Sequence, residues 1–105
     1  MTVSAIRTDE AKAYLRIDHY EDDALIELLC QSATELASAR IRRPIVGNVE
    51  DGALAETPGK VPASVKMAVM VIVAFMYEHR DATDDELRQR VLRQVALDQF
   101  IDWEA

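Results

Sequence analysis

"PASVKMAVMVIVAFMYEHR", residues 62–80, decides the fold. From Met67 to Tyr77 every residue is apolar or Tyr, and Glu78, His79 and Arg80 follow at once. A membrane span takes about 20 apolar residues, and this run has about half that with Lys66 on its left. The anchor reading fails on length. β-branched residues are common here, so a buried strand competes. Length and Pro62, which suits the first turn of a helix, favour an α-helix. Val65, Ala68, Val69, Ile72, Val73, Phe75, Met76 and Tyr77 make it apolar nearly all round, which predicts burial on most sides.

Before it, residues 44–61, "PIVGNVEDGALAETPGKV", hold all three Gly and two of the three Pro. "GN" and "DG" are turn dipeptides. Ile45, Val46 and Val49 are candidates for a short strand or hairpin arm, and the stretch is expected to project as a long loop. Upstream, "DHYEDDALIELL" opens a helix expected to run from Asp18 to Arg43, about 36 Å at about 1.5 Å per residue. Asp18 and Glu21 resemble a capping box, and the apolar stripe runs Leu25, Leu29, Ala33, Leu36, Ala37, flanked by Ile26 and Ile41. Arg40, Arg42 and Arg43 suit its negative C-terminal pole, and Pro44 stops it. A shorter helix, "TDEAKAYLRI", starts on Thr8 as N-cap, with Asp9 and Glu10 in its first turn. After residue 80, Thr83 and Glu86 form a T-x-x-E capping box for a fourth helix carrying Leu87, Val91, Leu92, Val95 and Ala96.

Size and composition agree with this pattern. The 105 residues fit one domain, 50% are apolar and only 6% aromatic, so the core is aliphatic. The scarcity of Gly and Pro argues against an all-β fold, which needs a turn about every 8–12 residues. The net charge of −7 gives no global pull toward phosphates, so tight nucleic-acid binding is not expected. The lone Cys30 has no internal disulfide partner and reads as a small core residue. "MTVSAIRTDEAKAYLRI" has no apolar leader core and no A-x-A site, so a secretory signal is not expected.

No Gly-rich phosphate loop, C-x-x-C, H-E-x-x-H or G-x-S-x-G motif is present. The pairs Asp18-His19 and Glu78-His79 offer zinc or iron ligands in kind. Adjacent helical residues point about 100° apart, however, so each pair hardly converges on one ion. Caps and solvated helix ends explain them more simply. The acidic run Glu21-Asp22-Asp23 lies at a helix N-terminus, where carboxylates are stabilising without any catalytic role. Arg40, Arg42 and Arg43 admit three readings: the helix dipole, an acidic partner, or DNA phosphates. Phe100, Ile101 and Trp103 close a chain end, where such residues either dock on a partner or cap their own core.

With the helices placed, two blocks resemble the phage head–tail connector (adaptor) family over residues 8–80. The first is E-A-K-x-x-L-R-I-D, here Glu10, Ala11, Lys12, Leu15, Arg16, Ile17 and Asp18. It leads to Asp23, Ile26, Leu29, Ala33 and Ala37 of a D-x-x-I-x-x-L-I-x-x-A-x-x-x-A helix. The second is V-P-x-x-V-K-x-A, here Val61, Pro62, Val65, Lys66 and Ala68, leading to Tyr77, Glu78 and Arg80 of Y-E-x-R. The longer "DDELRQRVLRQVALDQFIDWEA" departs from the short ending of comparable members. The resemblance implies a small, non-catalytic virion protein without cofactor at the head–tail junction, assembled in the host cytoplasm. It implies a ring, a dodecamer on the portal protein, that joins the portal to a downstream connector or tail protein. DNA would pass through without specific binding.

The reading is therefore an all-α single domain of about four helices over residues 1–105, with loop 44–61 between the second and third main helices and a C-terminal helix and tail over 83–105. It implies no enzyme, metal or membrane. Contact residues are expected at Arg40, Arg42, Arg43, Val46, Val49, Phe100, Ile101 and Trp103. Two readings compete: a small helical regulatory or dimeric binding module of a phage or mobile element, and a metal-dependent enzyme on the His and carboxylate pairs.

Overall fold

The computed structural model describes residues 4–79. Those residues form three α-helices, α1 (Thr8–Leu15), α2 (Asp23–Ile41) and α3 (Ala63–Glu78), with no strand among them. The expected fourth helix and tail, with Phe100, Ile101 and Trp103, lie outside the described residues.

α1 begins one residue earlier than its cap reading implied. Arg7 is the N-cap and Thr8 already belongs to the helix. Glu10 Oε1 accepts the Arg7 backbone N–H at 3.0 Å, the half of a capping box that reaches back over the first turn. The helix stops at Arg16 in the left-handed region (φ 59°), where the Arg16 and Ile17 amides donate to Ala13 and Lys12 carbonyls.

α2 corrects the expected span of 18–43. Residues 17–22 make a turn, and Asp22 is the N-cap. Long-range bonds decide this start. Lys12 Nζ lies 2.7 Å from Asp23 Oδ1, and Tyr77 Oη donates to Asp22 Oδ2 at 2.7 Å. These contacts hold Asp22 at the N-cap and Asp23 at the first helical position, leaving Asp18 and Glu21 outside the helix. At the far end Arg42 takes φ 61°, and the Arg42 and Arg43 amides both reach the Ser38 carbonyl. The helix is thus about 28 Å long at about 1.5 Å per residue.

The buried face of α2 is also rotated from the leucine stripe. Ile26, Cys30, Ala33, Thr34, Ala37 and Ile41 are buried, at i, i+4, i+7, i+8, i+11 and i+15. Leu25, Leu29 and Leu36 are half-buried on the flank, and Leu28 is exposed. Small residues on α2 let α3 approach closely, and α3 answers with Val65, Ala68, Val69, Ile72 and Val73. α3 is not buried on every side: Met67 is 53% exposed. The Tyr77–Asp22 bond joins the end of α3 to the start of α2, so the two helices run antiparallel.

The stretch between them does not project. Ile45, Ala53, Ala55 and Val61 are buried in or against the core. Its only pairing among the described residues is an isolated parallel bridge between Val46 and Ala55, in place of the hairpin arm expected from Ile45, Val46 and Val49. Two 3-10 turns, Val49–Asp51 and Pro58–Lys60, absorb the rest. Asn48 caps the first by accepting the Glu50 amide, and Gly52 closes it at φ 102°, a conformation that favours glycine.

The N-terminal segment joins the core as well. Ala5 and Ile6 are buried, and the Ala5 amide donates to Thr34 Oγ1 at 3.0 Å. Thr34 in turn donates to the Cys30 carbonyl at 2.8 Å, so the one buried polar side chain among the described residues is satisfied on both sides.

Candidate partner-contact surface

Of the expected contact residues, the structure brings Arg42, Arg43 and Val46 together. They line an open groove of about 740 Å3 at the C-terminal end of α2, with Ala39 and Pro44 as apolar walls. The groove exists because Pro44 forbids the helix to continue and Arg42 turns the chain in the left-handed conformation. Arg43 Nε donates to the Gly52 carbonyl at 2.8 Å, which ties residues 44–52 against the helix end. Arg43 therefore carries a structural duty that its charge alone does not reveal. Arg40 and Val49 are exposed but do not line the groove.

The opposite end of α2 holds a second exposed feature, which the sequence reading treated only as helix cap. The acidic run divides its work. Asp23 pairs with Lys12, Asp22 accepts Tyr77, and Glu21 is exposed beside Asp18 and Tyr20. Tyr20 is 81% exposed, and Lys12 Nζ sits 4.4 Å from its ring centroid. The signal for Tyr20 in the sequence is a large aromatic inside the polar run "DHYED".

The groups that carry chemistry elsewhere are occupied structurally. His79 stacks on Phe75 with centroids 4.4 Å apart, and its Nδ1 lies 3.1 Å from the Phe75 carbonyl. Burial pushes the Cys30 thiol up to about 11, so it stays protonated at neutral pH. Glu10 is held below the usual carboxylate range, chiefly by the Arg7 amide and then by Lys66, 3.5 Å away, against a desolvation cost that pulls the other way. Among the described residues no three His, Cys, Asp or Glu side chains gather as a metal site, and no helix is long and apolar enough to cross a membrane.

A helical scaffold with two polar, exposed ends on one helix suits contact with other proteins. The chain matches the family model described as phage gp6-like head-tail connector protein over residues 6–101. That match extends past the resemblance read from residues 8–80 and takes in most of the divergent C-terminal part. No curated protein and no solved structure matches. The chain belongs to the phage gp6-like head-tail connector protein family, a structural family with a connector role at the head–tail junction of the virion.

Proposed function

We propose that this protein is a ring-forming connector subunit. Copies assemble beneath the portal, meet a downstream connector or tail protein on the other side, and leave a central passage for DNA. Assembly takes place in the host cytoplasm before the tail is joined. The observation that carries this reading is the family match across residues 6–101. The net charge of −7 supports it, because a conduit for DNA works best when its subunits do not hold phosphates. Side chains do this work by contact, and no bond-making step is involved.

Solution mass by light scattering over a wide concentration range tests it. A discrete species well above a dimer is the expected result, either for the chain alone or once purified portal protein of the same phage is added. A dimer of constant mass that ignores portal would replace this reading with the dimeric regulatory module.

A further inference from the structure

α3 packs on the core-facing line of α2, and the N-terminal segment and α1 close the side at Thr34. There the Ala5 amide donates to Thr34 Oγ1, and Glu10 lies 3.5 Å from Lys66 of α3. The other side of α2 carries Leu25, Leu29, Ser32, Leu36 and Ala39. They recur in alternating steps of four and three residues, the spacing that lays a straight line of contacts against one further helix. At about 3.6 residues per turn the line sits roughly 130° round α2 from its core-facing residues. Leu25, Leu29, Ser32 and Leu36 are half-buried, and Leu28 beside them is 58% exposed. Neither α1 nor α3, the other helices among the described residues, lies over this flank.

The end of α3 points to the occupant. Tyr77 bonds Asp22 at 2.7 Å, so Glu78 finishes beside the start of α2 and of the leucine line. Residues 79–82 then give a link to Thr83 within the range of about 2–8 residues usual between packed helices. Residues 83–101 lie outside the described residues, and their sequence has the length and pattern the flank calls for. Thr83 and Glu86 form the capping box, and Leu87, Val91, Leu92, Val95 and Ala96 make the apolar stripe. A helix over 83–101 spans about 27 Å, against about 21 Å from Leu25 to Ala39.

We infer that residues 83–101 cover the leucine flank of their own chain, as an amphipathic helix running alongside α2 in the same direction. Leu87 comes level with Leu25, Val91 with Leu29, and Phe100 and Ile101 with the end of the line at Ala39. So short a tether holds the segment at high effective concentration beside the flank, an advantage that a second copy or another protein lacks. The chain end then caps its own domain, and Leu25, Leu28 and Leu36 are withdrawn from contact with neighbouring subunits. The inference does not depend on the ring proposed above.

The test uses the full chain with two added cysteines, Leu25→Cys and Leu87→Cys, oxidised in dilute solution and resolved by non-reducing electrophoresis and mass. Cys30 is buried with its thiol protonated and does not compete. A disulfide within one chain is the expected result. Leu36→Cys with Leu87→Cys, about 16 Å further along α2, is expected to form none, because a disulfide needs Cα atoms within about 7 Å. A disulfide only between chains would give the flank to a second copy and overturn the inference. So would no disulfide from the Leu25 pair, or equal yields from both pairs. Hydrogen exchange on the chain without added cysteines gives a second reading. Amides of residues 87–96 are expected to be protected, and Leu29→Ser to speed their exchange by roughly 10-fold or more while α3 changes less. Residues 87–96 that are unprotected in the parent, or indifferent to Leu29→Ser, would overturn it as well.

Discussion

The seam between α2 and α3 and the surface at the ends of α2 are built from opposite materials. The seam is small and apolar: Cys30, Ala33 and Ala37 on one helix, Val65, Val69, Ile72 and Val73 on the other, each at most 1% exposed. Its one polar member, Thr34, bonds inward. The ends are polar and held by directed bonds, among them Lys12 to Asp23, Tyr77 to Asp22, and Arg43 to the Gly52 carbonyl. The difference teaches where stability resides and which groups are left at the surface. Close packing is unforgiving of volume and carries most of the fold's free energy. Exposed groups contribute little to stability and are open to selection for contact.

Four substitutions sharpen that contrast, in falling order of effect. Ile72→Ala in the seam removes a fully buried side chain and is expected to cost about 2–5 kcal/mol, read as a lower denaturant midpoint. A loss below roughly 1 kcal/mol would show that the seam is not the core. Thr34→Val keeps the volume but leaves the Ala5 amide and its segment without an acceptor, for about 1–3 kcal/mol. Its signature is local: hydrogen exchange at Ala5 speeds up more than exchange within α3. Arg43→Ala is expected to cost about 0.5–1.5 kcal/mol by releasing the Gly52 carbonyl. The Gly47 and Ala55 amides, which pair across the bridge, then exchange faster while α1 does not change.

Glu10→Gln is the smallest effect and depends on pH. The folded-state value for Glu10 is depressed, so its contribution is present above the ordinary carboxyl value of 4.5 and fades as pH falls through the folded value. The variant is therefore expected to be less stable than the parent at neutral pH. The gap narrows in acid as Glu10 itself becomes protonated. A gap that widens on acidification would contradict the sign. Thermal melts at pH 7 and below pH 4.5 are enough to read it.

Much of the helical pattern is legible in the sequence, and the misreadings share a cause. α3 is legible because an apolar run behind Pro62 has the length of a helix and lacks the length of a membrane span. The end of α2 is legible from Arg42, Arg43 and Pro44. Its start is not, because Asp18 and Glu21 satisfy a local capping pattern while Lys12 and Tyr77 determine the outcome from other helices. The leucine stripe misleads because hydropathy ranks Leu above Ala, Cys and Thr, whereas a close helix seam selects small volume. Turn dipeptides announce the bends of residues 44–61 but not the burial of Ala53 and Ala55. Of the contact residues proposed from charge and position, Arg42, Arg43 and Val46 line one groove. The Arg43 bond to Gly52 and the support of Tyr20 by Lys12 arise only from tertiary structure.

The most direct measurement is the number of copies bound to the portal protein of the same phage, by mass determination of the purified complex or by imaging of its end view. The expected result is a closed ring of this chain seated on one face of the portal, in fixed ratio to it. Portal that binds no copies, or binds only a single dimer, would contradict the connector ring.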